Sequence, residues 1–195
     1  MRLPKQRSLM TTDQPTIPVK AAPTSHRAQI ARLRRVALAA LGNYPLPAGR
    51  LRFVTHGENT TFRHDSAGGS HLVRVHRPQR HGRGVDSAAA IRSEICWLTA
   101  IRLDTDLCVP EALAASSGAS TVEATAAGQT RVCSVLRWMD GRSMEESARP
   151  IHLRRLGEAM ALLHNQGDHW SPPSDFVRIR WNHEAFFGDV MVYGD

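Results

Sequence analysis

Arg74 stands in a run of alternating apolar residues, His71-Leu72-Val73-Arg74-Val75, and Glu94 stands in the apolar stripe of Ile91, Ile95, Leu98 and Ile101. At about 100° per residue these helix positions project on one side, so the carboxylate enters a buried stripe. Leaving one member of a buried ion pair without its partner costs about 3–5 kcal/mol, so Glu94 requires a cation or a set of donors. Arg74, on one strand face with Leu72 and His76, is the candidate. A strand cation held by a helix acid is an arrangement that grips the phosphates of a nucleotide. The plainer alternative is an ion pair with no ligand.

Upstream, His56-Gly57-Glu58-Asn59-Thr60 joins two short strand-like runs. A glycine there serves an ordinary hairpin turn. Placed ahead of a strand cation, the same turn can close over phosphates with its backbone N–H groups. The only lysines are Lys5 and Lys20, so no GK[ST] loop and no Schiff-base lysine exists beyond residue 20. Any phosphate-holding cation there is an arginine or a histidine. The ten histidines form no His-Glu-x-x-His or Cys/His cluster and read as surface or core residues. No GxSxG motif surrounds a serine, and Trp138, Trp170 and Trp181 read as core aromatics before base-stacking platforms.

The elements that must position these residues follow from periodicity. Residues 1–24, rich in Pro, Thr, Gln and Ser, read as a disordered basic tail. Ser25–Leu41 has helical spacing and stops at Gly42-Asn43-Tyr44-Pro45, so 25–50 reads as a helix and linker. Strands are expected at 51–55, 59–64, 70–76, 121–126 and 131–138. Helices are expected from about Asp86 to Leu103, capped by Asp86 or Ser87, and from Pro150 to about His164. The order predicts an α+β fold with a mostly antiparallel sheet.

Charge divides unevenly. Residues 1–50 hold nine Lys or Arg and one acid, 9 − 1 = +8, whereas 51–195 hold sixteen Arg and seventeen acids, 16 − 17 = −1. The basic character belongs to an N-terminal arm, and nucleic-acid binding is unexpected except through it. No apolar run is long enough for a membrane span. Three widely spaced cysteines (Cys96, Cys108, Cys133) suggest free thiols and a cytoplasmic setting.

Taken together, Gly57-Glu58-Asn59-Thr60-Thr61-Phe62, Leu72-Val73-Arg74-Val75-His76-Arg77-Pro78 and Ile91-Arg92-Ser93-Glu94-Ile95-Cys96-Trp97-Leu98 resemble the aminoglycoside phosphotransferase / choline kinase / homoserine kinase-like family. The likeness continues through Val109-Pro110, Leu136-Arg137-Trp138-Met139-Asp140-Gly141 and Leu156–His164. The resemblance implies a protein-kinase-like fold. Residues 51–141 would be the N-terminal lobe, a five-stranded antiparallel sheet with one packed helix, and its hinge. Residues 142–195 would begin an incomplete helical C-terminal lobe. ATP, with Mg²⁺ in the full-length family, would be the cofactor, and an unidentified small-molecule hydroxyl the acceptor. Arg74 would hold phosphates with Glu94 behind it, beside Gly57, Glu58 and Asn59. The backbone of Arg137, Trp138 and Met139 would meet adenine. Arginine in place of the family's usual lysine keeps the charge but changes its shape to a planar fork.

The family's HGDxxxxN-type loop and metal-binding Asp have no counterpart here. Gly167-Asp168-His169 has the letters out of order, and Tyr193-Gly194-Asp195 is the nearest mimic. The expectation is therefore the front portion of a phosphotransferase, truncated before its catalytic loop and inactive alone. Two alternatives stay open: a non-catalytic binding module using the basic arm (Arg27, Arg32, Arg34, Arg35), or a pseudokinase remnant.

Overall fold

Short alternating runs of β-branched and aromatic residues build one antiparallel sheet in this computed structural model, which describes residues 25–78, 86–141, 148–178, 182, 183 and 187. The strands are β1 (Gly49–His56), β2 (Thr60–Ser66), β3 (Gly69–Val75), β4 (Val122–Ala126) and β5 (Gln129–Arg137), in the order β1-β2-β3-β5-β4. Helix α1 (His26–Leu41) precedes them, α2 (Ser87–Asp104) lies between β3 and β4, and α3 (Pro150–His169) follows β5. The expected disordered tail at 1–24, most of the loop at 77–84 and Tyr193-Gly194-Asp195 fall outside the described residues.

The sheet has two unlike faces because side chains alternate along each strand. Phe62, Val73 and Val135 stand side by side in register on one face, with Val75 and Cys133 beyond them. Helix α1 covers this face with Leu33, Val36, Ala37 and Ala40, spaced to form a single stripe. The sequence reading treats α1 as a helix apart from the sheet, attached to a basic arm. The structure binds it into the core, leaving Arg27, Arg34 and Arg35 exposed, with Arg34 Nη2 donating to the Leu51 carbonyl of β1 at 3.3 Å. Its start is set by Ser25, whose hydroxyl accepts the Ala28 N–H at 3.3 Å.

The opposite face carries Thr61, Arg74 and Ser134 in one row and Arg63, Leu72 and Leu136 in the next. Helix α2 starts at Asp86, whose carboxylate accepts the Ala88 N–H at 2.9 Å. Helix α3 continues to His169, past the expected end near His164. Asn165 and Gly167 are poor helix formers, but Gln166 is bonded to α2 and holds the last turn in place. No described helix is long and apolar enough to cross a membrane.

Two local features generate tests. The β4–β5 hairpin turns on Ala127 (φ 52°) and Gly128 (φ 72°), and an alanine in the left-handed region pays about 1–2 kcal/mol. Ala127→Gly should raise stability by about 0.5–1 kcal/mol once the entropy of glycine is subtracted, measured as a shift in the urea midpoint. At the other end of the sheet, His64 and His71 are buried side by side with ring centroids 6.5 Å apart, and neither Nδ1 has a hydrogen-bond partner among the described residues. Burial, then His64 and Arg137, push the His71 imidazole below its ordinary value. The unfolded chain therefore takes up the proton more readily than the folded one. Stability should be full above about pH 6.5 and fall as the pH drops below it. Urea midpoints across that range check this, and His71→Gln should flatten the decline.

Candidate functional site

Val73 and Val75 face α1, so the strand's alternation turns Arg74 toward α2. There its Nη1 donates to Glu94 Oε1 at 2.6 Å, a short charge-assisted bond. The sequence reading buries Glu94 fully within an apolar stripe. The structure leaves both side chains 20% exposed, since Ala90, Ile91, Ser93 and Ile95 take the buried positions. Partial exposure gives solutes access to the pair. Among the described residues the other N–H groups of Arg74 make no hydrogen bond, so the guanidinium keeps donors for a second anion.

The Gly57 turn lies at the same end of the sheet, because Thr60 pairs with Val75 and Thr61 with Arg74. Gly57 N–H donates to the Asn59 carbonyl at 3.1 Å, and His56 Nδ1 meets Thr60 Oγ1 at 2.5 Å. Arg77 braces the turn from outside. Its backbone N–H donates to Asn59 Oδ1 at 3.4 Å, and its guanidinium holds Glu58 at 3.2 Å. A cleft of about 190 Å³ beside the turn is lined by Gln29, Leu33, Val75 and Arg131, on the α1 side of the sheet. A Cβ on Gly57 would meet nothing within 4 Å, so steric room does not demand the glycine. The turn and Arg74 are thus neighbours in register, with the turn's cleft facing away from the Arg74 face.

The expected hinge, Arg137-Trp138-Met139, begins at the other end of β3, where Arg137 pairs with His71. That is three residues from Arg74, about 10 Å along a strand. Two of the three expected base-contacting amides are already bonded: Arg137 N–H donates to the Glu111 carbonyl at 2.8 Å and Trp138 N–H to the Ser70 carbonyl at 3.1 Å. The Arg137 side chain turns to the Glu111 carboxylate at 2.7 Å and is 67% exposed. Met139 is exposed as well. Beneath the hinge, the Arg63 guanidinium stacks 4.5 Å from the Trp138 ring centroid. Asp65 fixes Arg63, accepting from it at 2.7 Å and from Ser70 at 2.7 Å. The Ser70 hydroxyl, then Arg63, hold the Asp65 carboxyl well below the usual carboxylate range, with Arg52 adding to them.

Residues after α3 return to α2. Trp170 stacks on Trp97 at 6.3 Å, and Phe176 meets Trp170 edge-on at 5.0 Å. Val177 N–H donates to the buried Ser93 Oγ at 2.9 Å, and Arg178 Nη1 reaches Glu94 Oε2 at 3.4 Å. Sequence reasoning missed Arg178 and the Arg63–Asp65–Ser70 cluster. The stretch after Trp170 has weak periodicity, and nothing local marks one of its arginines as a partner for Glu94. Among the described residues no three His, Cys, Asp or Glu side chains converge to hold a metal ion.

No protein-family model and no curated protein sequence matches the chain. Solved structures do. A microcompartment-associated aminopropanol kinase superposes with a TM-score of 0.66 and 27% identity, over 80% of this chain and 47% of that one. An amicoumacin kinase in complex with AMP-PNP, Ca²⁺ and Ami superposes with a TM-score of 0.62 at 16% identity, over the same shares, a likeness of fold alone. The chain has the kinase-like α+β fold that the sequence reading expects, and both of these neighbours are small-molecule kinases. It spans 47% of the length of each.

The strength of the central pair can be measured. A double-mutant cycle of Arg74→Ala and Glu94→Ala should return a coupling of about 1–3 kcal/mol in urea unfolding, as for a charge-assisted bond screened from water on most sides. A coupling near zero would make the pair a surface contact.

Proposed function

We propose that this chain forms the nucleotide-binding part of an ATP-dependent phosphotransferase acting on a small-molecule hydroxyl, of the aminoglycoside phosphotransferase / choline kinase / homoserine kinase-like kind. The observation that carries the reading is the 2.6 Å bond between Arg74 on β3 and Glu94 on α2, partly exposed on the sheet face opposite α1. It sits in a fold whose solved neighbours are small-molecule kinases.

The residues fit a nucleotide laid along β3. Glu94 keeps one edge of the Arg74 guanidinium, and the remaining N–H groups bind the polyphosphate as a planar fork. About 10 Å away, the base meets the hinge. Because the Arg137 and Trp138 amides are bonded to Glu111 and Ser70, the base edge falls to the backbone of Met139 and the Trp138 carbonyl. The turn residues Gly57, Glu58 and Asn59 stand at the phosphate end of β3, with Arg77 anchoring Glu58 so that its charge is neutralised there. When bound, ATP supplies the transferable phosphoryl group, and these residues bind and orient it. No group of three metal-ligating side chains fits Mg²⁺ among the described residues. Transfer to the acceptor belongs to the whole protein, of which lengths like its neighbours' would make this chain about half.

Isothermal titration of the folded chain with ATP should show saturable binding, and Arg74→Ala should weaken it at least about tenfold, the worth of a charge-assisted phosphate contact. Binding unchanged by Arg74→Ala would place the nucleotide elsewhere. The absence of binding by the unaltered chain would refute the reading.

A further inference from the structure

Glu94 is shared. Its Oε1 accepts from Arg74 at 2.6 Å and its Oε2 from Arg178 at 3.4 Å. Among the described residues, two guanidinium groups and one carboxylate sum to one positive charge there, where the Arg74–Glu94 pair alone would be neutral. A neutral pair has little electrostatic attraction for a polyphosphate, whereas a surplus cation beside it supplies that attraction in a partly desolvated place.

The position of Arg178 is built. The consecutive residues Val177 and Arg178 engage the consecutive residues Ser93 and Glu94. The first contact is a 2.9 Å bond from a backbone N–H to a hydroxyl that is only 5% exposed. The segment leading there is clamped on α2 by the Trp97–Trp170 stack and by Phe176 against Trp170. The Gln166 side chain adds two more bonds, accepting from Trp97 Nε1 and donating to Asp104, both at 2.9 Å. The Arg178 bond to Glu94 is long beside that of Arg74, and the side chain is 37% exposed. It is the arm of the cluster that an arriving anion can recruit without breaking the Arg74–Glu94 bond.

From this geometry we propose that Arg178 is a second phosphate-binding residue. With Arg74 it flanks Glu94, and together the two guanidinium groups receive the terminal phosphates of the nucleotide. The proposal rests on the nucleotide reading above. It adds that the phosphate site is completed by a segment beyond α3, so the sheet and α2 do not form it alone.

Tripolyphosphate and adenosine separate the two ends of the site. Titrated into the unaltered chain, Arg178→Ala and Arg178→Gln, tripolyphosphate should lose about tenfold in affinity in both variants, the worth of one charge-assisted bond. Adenosine should bind all three equally. Arg178→Lys should recover part of the loss, since the charge returns without the planar fork. Tripolyphosphate binding that falls with Arg74→Ala but not with either Arg178 variant would overturn this inference and leave the nucleotide reading standing. Equal losses of tripolyphosphate and adenosine would also overturn it, since Arg178 would then act only by holding the fold. Failure of the unaltered chain to bind either probe would overturn both.

Discussion

Strand β3 must satisfy two incompatible surroundings at once, and the rest of the structure is arranged around that demand. Its odd-numbered side chains, His71, Val73 and Val75, are buried on the α1 side. Its even-numbered ones, Leu72 and Arg74, face the other way. A one-residue slip in register would bury the guanidinium in the apolar core and expose two valines, so pairing with β2 and β5 fixes where the charge goes. Once Arg74 is on the α2 face, Glu94 must come to meet it. The helix position, the partial exposure of the pair and the free donor edge of the arginine follow from that contact.

The two ends of β3 do different work. The turn at Gly57–Asn59 and the Arg77 brace lie beside Arg74, whereas the hinge, stacked over Arg63 and tied to Ser70, lies beside His71. A ligand lying along the strand therefore meets cationic donors at one end and aromatic and backbone groups at the other. That polarity suits a molecule with a charged tail and a flat, weakly charged head.

Much of this architecture was legible from local patterning. Alternation located all five strands, and Asp86 and Pro150 marked helix starts where the structure has them. The Arg74–Glu94 contact was inferable because a charge inside an apolar pattern implies a partner. Other features depend on contacts between distant segments. Helix α1 is an amphipathic helix whatever it covers, so its role as the lid of the core has no local signature. The extra turns of α3 depend on Gln166 reaching Trp97 and Asp104, residues more than sixty positions away. Arg178 is one arginine in a stretch without clear period, and the bond from Val177 to Ser93, with the Trp97–Trp170 stack before it, brings it to Glu94. Which amides of the Arg137–Met139 segment are already bonded depends on Glu111 and Ser70, which no local pattern reveals.

The central claim is a location: the polyphosphate lies on the α2 side of the sheet, against Arg74. A crystal structure of the chain with AMP-PNP tests it most directly. The account predicts β- and γ-phosphate oxygens within hydrogen-bonding distance of the Arg74 guanidinium, with the base at Met139 about 10 Å along β3. A nucleotide seated instead in the cleft between α1 and the Gly57 turn, near Gln29 and Arg131, would contradict it.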